Sequence, residues 1–241
     1  MRNRNLRIIS GVGAGLKFNI GMSNPDYALG INELPVQHAF KKFIKSGDIV
    51  YDIGANIGFF TMIAAMLVEK TGYIYAFEPV TGNVENILKN IKLNNFLNIT
   101  VIDRAVSSST GKEDFYLTKN YGGHTLSSVA CPPDVIAKII IETVSIDELI
   151  AEKKIMPPDI IKIDVEGAEI DVLKGMVNTL KQYRPTVIYE IDDRTLSKLQ
   201  NKQEDIKDFL YSFGYEIRDL EASYKGLSWF VRHAVAIYTN N

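Results

Sequence analysis

The stretch Ile49-Val-Tyr-Asp-Ile-Gly-Ala-Asn-Ile-Gly-Phe-Phe60 constrains this chain more than any other. Its first five residues are apolar but for Asp52, with no alternation of apolar and polar positions. That pattern suits a strand buried on both faces, which needs helices above and below it. Gly54 permits a sharp backbone turn, and the apolar residues that follow fit a helix over roughly residues 57–69. Similar short apolar runs recur at Tyr73–Phe77, Ile99–Ile102, Ile160–Ile163 and Thr186–Ile191. Helical patterns separate them at about 82–94, 167–181 and 201–213. Strands alternating with helices predict an α/β fold, doubly wound, with a mostly parallel sheet.

The flanks depart from this rhythm. Residues 7–20 read as an N-terminal hairpin, with Gly11, Gly13 and Gly15 in its turn. A helix follows near Leu34, with Asn32 as its cap and Pro35 in its first turn. Residues 105–144 read as an inserted hairpin: Phe115–Leu117, a loop over 118–134, then Ile136–Val144. Long loops of this kind are often functional. Ser145-Ile-Asp-Glu148 has the form of a capping box. Tyr215–Asp219 and Trp229–Tyr238 succeed one another without a helix, which predicts an antiparallel pair closing the sheet edge.

With 241 residues, 46% of them hydrophobic, the chain is long enough for one large domain. Residues 1–45 form the hairpin-and-helix extension in this reading, and 46–241 the core. The lone Cys131 excludes an intrachain disulfide scaffold. Lys and Arg total 27 against 29 Asp and Glu, so net charge gives no general attraction to nucleic acid. No apolar run approaches the roughly 20 residues of a membrane span. The N-terminus, MRNRNLRIIS, does not read as a signal peptide. A cytoplasmic protein is the expectation.

Ligands of open α/β sheets bind beyond the carboxyl ends of the strands. Here the turn there is Gly54-Ala-Asn-Ile-Gly58, preceded by Asp52. A dinucleotide fingerprint wants a glycine where Asn56 stands, and an acid so close repels a pyrophosphate. An acid suits a ligand with an amino group and a sulfonium, as in S-adenosylmethionine. The second strand ends in Glu78-Pro79, where a carboxylate can accept from both ribose hydroxyls; dinucleotide enzymes use an acid there too. The fourth strand delivers Asp164, Glu166 and Glu169, and the fifth Glu190, Asp192 and Asp193.

Five segments in order resemble the FkbM family of S-adenosylmethionine-dependent methyltransferases. They are Val50-Tyr-Asp-Ile-Gly-Ala-Asn-Ile-Gly-Phe59, Ala76-Phe-Glu-Pro79, Ala105-Val-Ser with Gly111, Thr143-Val-Ser-Ile-Asp-Glu-Leu149 and Ile161-Lys-Ile-Asp-Val-Glu-Gly-Ala-Glu169. The resemblance covers about residues 45–195. It implies the Rossmann-like class I methyltransferase fold, a seven-stranded sheet with one antiparallel edge strand. It also implies methyl transfer to a hydroxyl of a sugar, glycan or secondary metabolite. The cofactor site it implies comprises Asp52, Gly54, Ala55, Asn56, Gly58, Phe59, Glu78, Pro79, Asp103, Arg104, Ala105 and Asp164. Residues 103–105 would lie near the adenine.

A hydroxyl acceptor needs a base, a role worth roughly 10²–10⁴-fold. Glu166 and Asp164 are the preferred pair, with His124 on the long loop as the alternative. The acids of the fourth and fifth strands could also coordinate a divalent cation such as Mg²⁺, but no metal is assigned. Other residues read more plainly. Gly11-Val-Gly-Ala-Gly15 is a hairpin turn rather than a phosphate loop. Lys162, inside a strand, pairs with a neighbouring acid or faces a sheet edge rather than serving as a catalytic lysine. His38 and His233 are ordinary surface or core residues, and Cys131 is a loop thiol. An NAD(P)-dependent oxidoreductase and a non-catalytic S-adenosylmethionine-binding module are the alternatives. Nucleic acid is not an expected partner; a homo-oligomer is left open.

Overall fold

The computed structural model describes residues 4–21, 25–118, 125–126, 135–224 and 230–239. The chain opens with a short antiparallel pair, β1 (Asn5–Arg7) and β2 (Lys17–Asn19), the expected hairpin with slightly different bounds. The one-turn helix α1 (Asp26–Leu29) and α2 (Leu34–Phe43) follow. Asn32 does not cap α2. Glu33 stands at the cap position with φ 46°, no side chain caps the helix, and Asn32 instead donates to the Glu33 carboxylate. His38 is exposed, as expected.

The core then runs β3 (Ile49–Ile53), α3 (Phe59–Leu67), β4 (Tyr73–Phe77), α4 (Thr81–Asn94) and β5 (Ile99–Ile102). The insertion contains β6 (Ala105–Val106), β7 (Gly111–Thr118), β8 (Thr125–Leu126) and β9 (Val135–Val144). These form a separate four-stranded sheet in the order β6-β9-β7-β8. Its centre is the predicted hairpin, with Phe115 opposite Ile139. Then come α5 (Ile146–Ala151), β10 (Ile160–Ile163), α6 (Glu169–Lys174), α7 (Val177–Tyr183), β11 (Thr186–Asp193), α8 (Leu196–Tyr211), β12 (Tyr215–Asp219) and β13 (Phe230–Tyr238).

Seven strands make the main sheet, in the order β12-β13-β11-β10-β3-β4-β5. All neighbours from β11 to β5 are parallel, and β13 is antiparallel to both β11 and β12. The antiparallel strand therefore lies one place in from the edge. The chain lays β12 down as the outer strand and then reverses into the gap beside β11.

Alternation along the central strands builds two cores. Tyr51, Ile53, Tyr75, Phe77, Ile161 and Ile163 pack on one face. Val50, Ile74, Ile160 and Ile188 pack on the other, against α2 and α3. This is the period-2 division of a sheet covered on both sides. The N-terminal hairpin is tied down by α4: Asn90 accepts from the Asn19 N–H and donates to the carbonyls of Asn19 and Ile57.

The single helix expected over 167–181 is two. The Gly175 carbonyl accepts from the Ser145 hydroxyl and the Asp147 N–H rather than continuing a helical ladder. The Asp147 carboxylate accepts the Asn178 and Thr179 N–H groups and so starts α7. Half of the capping box forms: Ser145 Oγ accepts from the Glu148 N–H, while the Ser145 N–H donates to the Thr110 hydroxyl rather than to Glu148. Helix α8 starts earlier than the periodicity indicates, because Asp193 accepts the Thr195 N–H in a tight turn directly after β11.

Candidate active site

A cavity opens beyond the carboxyl ends of β3, β4, β10 and β11, at the place open α/β sheets bind ligands. Its volume is about 160 Å³; by the same measure one water needs roughly 10–15 Å³. The cavity therefore has room for a ligand.

One end is built by the turn after β3. The N–H groups of Gly54 and Ala55 both donate to the Phe77 carbonyl, pinning the turn to the end of β4. Gly54 has φ +80°, and a Cβ on it would stand 1.7 Å from the Asp164 carbonyl oxygen. Only glycine lets the loops after β3 and β10 approach so closely. Glu78 is buried at the end of β4. Its carboxylate accepts from the Asn56 N–H (2.9 Å), the Val80 N–H (3.0 Å) and Asn83 Nδ2 (3.1 Å). Burial outweighs these donors and pushes its pKa up to about 7. Asn56, with φ 50°, buries an Oδ1 that has no hydrogen-bond partner.

These features fit an adenosyl nucleoside. Three donors fill most of the roughly four acceptor sites of the Glu78 carboxylate and fix its orientation, with capacity left on a residue that lines the cavity. The orphaned Asn56 acceptor, also on the cavity wall, wants a donor that the protein does not supply.

The predicted cofactor residues divide into two groups. Gly54, Asn56, Glu78, Pro79, Ala105 and Asp164 line the cavity. Asp52, Ala55, Gly58, Phe59, Asp103 and Arg104 do not. Asp52 is fully buried beneath the turn, where it accepts from the Thr61 hydroxyl (2.5 Å) and faces Lys162 Nζ at 3.9 Å. Ala55 packs with Ala76 and Ile87, and Phe59 packs on Phe18 and Tyr27. Arg104 pairs with Glu142.

The other end is acidic. Asp164, Glu166 and Glu190 present carboxylate oxygens that all lie within 4.8 Å of one another. Glu166 has φ 54° and lies on the loop between β10 and α6. Burial, then Asp192, Asp164 and Glu190, hold its carboxyl well above the usual range. Burial and the Asp164 charge push Glu190 up to about 8. Lys162 donates to Asp164 (2.8 Å), the ion pair its position in a strand predicts. The three carboxylates could serve a divalent cation by their donor type; carboxylate clusters without one are common. His124 and Cys131 fall outside the described residues.

Sequence reasoning missed one wall. Tyr27, Glu33 and Tyr224 line the cavity beside Glu190. Behind them His233, read as an ordinary residue, stands 2.5 Å from Glu190 and 3.6 Å from Glu33. Burial opposes its charge, but the two carboxylates prevail and carry its pKa up to about 10. Nothing local marks these residues. The Tyr224 to Glu33 hydrogen bond (2.7 Å) joins positions 191 apart in the chain.

The sheet order, the turn after β3 and the acid at the end of β4 define a class I S-adenosylmethionine methyltransferase fold. The family model for the methyltransferase FkbM domain matches residues 52–217, and the chain belongs to that family. It is 32% identical over 161 residues to the hexuronic acid methyltransferase AglP of Haloferax volcanii, covering 63% of this chain and 61% of that protein. It is 27% identical over 177 residues to the 31-O-demethyl-FK506 methyltransferase FkbM of Streptomyces tacrolimicus, covering 62% and 67%. The chain thus spans about three-fifths of the length of AglP. The structure of an FkbM methyltransferase from Methylobacillus flagellatus superposes with TM-score 0.55 at 18% identity, over 85% of this chain and 50% of that one. No helix among the described residues is long and apolar enough to cross a membrane.

Proposed function

We propose that the protein is an S-adenosylmethionine-dependent O-methyltransferase whose acceptor is a hydroxyl of a sugar, glycan or secondary metabolite. The observation that carries this is one cavity with a nucleoside-type end at Glu78 and a proton-accepting end at Glu166 and Glu190. Family membership supports methyl transfer over the oxidoreductase alternative. The names of the relatives, with a hexuronic acid and a 31-O-demethyl substrate, support an oxygen acceptor on a sugar or metabolite.

Glu78, Asn56 and the Gly54 turn would hold the cofactor, with Pro79 and Ala105 beside them. Bound there, S-adenosylmethionine supplies an electrophilic methyl group on a sulfonium. The chain's own part is to position an acceptor oxygen, exclude water and take up a proton. Asp164, held by Lys162, Glu190, held by His233, and Glu166 are the carboxyls placed to receive the hydroxyl proton. Burial and the neighbouring carboxylates raise the carboxyls of Glu166 and Glu190, that of Glu190 to about 8, and a base works best when its pKa lies near the operating pH. The acceptor is a small molecule or glycan in this reading, not a nucleic acid.

The test is transfer of a labelled methyl from the cofactor to a panel of sugars and hydroxylated metabolites. Glu166→Gln should lower turnover by roughly 10²–10⁴-fold while S-adenosylhomocysteine still binds. Cofactor binding without transfer to any acceptor would favour the non-catalytic module. Absence of cofactor binding would overturn the reading altogether.

A further inference from the structure

The acceptor end of the cavity carries a charge pattern that points to a class of acceptor. Glu33 lies outside the region matched by the family model, on the extension before β3. It is 7% exposed and lines the cavity. Its Oε1 accepts from the Tyr224 hydroxyl (2.7 Å) and Asn32 Nδ2 (2.9 Å). Its Oε2 has no hydrogen-bond partner; the His233 ring nitrogen is 3.6 Å away. A buried carboxylate oxygen without a donor is costly, and a ligand donor would relieve it.

The surroundings decide what kind of donor. Glu190 stands beside Glu33, sharing His233, and the other cation acting on Glu33, Lys162, is already ion-paired with Asp164. Asp164 and Glu166 form a second cluster of carboxylates with the same Glu190. No lysine, arginine or histidine is among the described residues lining the cavity. An anionic acceptor would be repelled, a neutral hydroxyl could only donate, and a protonated amine would both donate and compensate charge.

We propose that Glu33 Oε2, with Glu190, is a subsite for a protonated amine, so that the acceptor is an amino sugar or comparable amino alcohol methylated on oxygen. This rests on the methyltransferase reading above and narrows its substrate class. It also separates this chain from a hexuronic acid acceptor of the kind AglP is named for. The same surplus of carboxylates could instead be met by a divalent cation, and the test tells the two apart.

The experiment is calorimetry on the full chain loaded with S-adenosylhomocysteine. Methyl glucosaminide, methyl glucoside and methyl glucuronide are titrated in turn, with Mg²⁺ and with chelator. The amine should bind at least about tenfold more tightly than the neutral sugar, and the acid weakest, with no need of metal. Glu33→Gln should erase most of the amine's advantage while the affinity for S-adenosylhomocysteine stays within about twofold. Equal affinities, no binding by any of the three sugars, or preference for the acid overturns the subsite. So does an acid that binds well only with Mg²⁺, which would assign the carboxylates to a cation. If Glu33→Gln does not fold, the wild-type ranking still decides. Failure of S-adenosylhomocysteine to bind is a separate result and sinks the methyltransferase reading instead.

Discussion

Replacing Lys162 with methionine isolates the charge that the centre of the sheet depends on. Lys162 lies in the middle of β10 and is 4% exposed. Its Nζ is 2.8 Å from Asp164 Oδ2, 3.9 Å from Asp52 Oδ1 and 4.9 Å from the centroid of the Phe60 ring. Asp52 is fully buried, and its Oδ1 has no hydrogen-bond partner. Methionine keeps length and packing but leaves Asp52 as an uncompensated buried charge. Breaking a buried pair from one side costs about 3–5 kcal/mol. At about 2–4 °C per kcal/mol for a chain of this size, the melting temperature should fall by roughly 6–20 °C. The loss should depend on pH. Burial already raises the Asp52 pKa against the pull of Lys162 and Thr61, and removing Lys162 raises it further. A carboxyl with a folded-state pKa above its unfolded value gives stability that is present at low pH and lost as pH rises through the folded value. The deficit should therefore be largest at neutral pH and shrink as pH falls toward the ordinary aspartate range. Adding Asp52→Asn should recover part of the loss. Thermal melts of the single and double variants at mildly acidic and mildly alkaline pH read all of this. The cost of a buried, uncompensated charge is several kcal/mol, so a loss under about 1 kcal/mol that is the same at both pH values would refute the reasoning.

Three further outcomes follow from the site. Gly54→Ala must place a Cβ 1.7 Å from the Asp164 carbonyl at φ +80°, so it should cost about 2–5 kcal/mol from left-handed strain and overpacking and abolish S-adenosylhomocysteine binding; unchanged calorimetry would contradict it. Glu78→Gln removes charge-assisted bonds worth about 1.5–3 kcal/mol and should weaken S-adenosylhomocysteine by roughly 10–100-fold, with the melting temperature of the unliganded protein somewhat lowered because the amide NH2 must face one of the N–H donors that both carboxylate oxygens now serve. The rate of methyl transfer should climb with pH through about 8, the value to which burial and Asp164 push Glu190, because a base must be ionised to accept the hydroxyl proton. A rate independent of pH across that range would remove Glu190 from the role.

The central β3-turn-α3 unit was legible because every signal in it is local. Strand apolarity, the glycine at positive φ and the helix after it all lie within a dozen residues. Glu78 was legible for the same reason, one strand later. The role of Asp52 was not. An acid beside a glycine turn reads as facing the ligand, yet pleat alternation and Lys162 on the adjacent strand turn it inward. The break between α6 and α7 depends on Asp147, thirty residues upstream, reaching across to cap a helix that periodicity alone joins to its predecessor. Glu33, Tyr224 and His233 carry no motif at all. They come together because β13 enters beside β11 and the N-terminal extension closes over the strand ends, a juxtaposition no local pattern encodes.

That juxtaposition also explains how the fold tolerates so many acids in one place. Five lining residues are carboxylates: Glu33, Glu78, Asp164, Glu166 and Glu190. The nearby cations, Lys162 and His233, do not line the cavity; they lie behind it, one in the centre of the sheet and one on β13. Lys162 compensates Asp164 from the protein side, and His233 compensates Glu33 and Glu190, without placing positive charge where a ligand would sit. For Glu166 and Glu190, burial and mutual repulsion still prevail and lift both toward the protonated state. Cations behind and carboxylates in front direct a negative potential into the cleft, where low-dielectric walls focus it. A ligand with positive charge is drawn to that end, and a proton released there finds two carboxylates poised to share it. The same residues thereby link acceptor selection to proton removal, which is why the amine preference and the rise of rate with pH should weaken together when Glu190 is changed to glutamine.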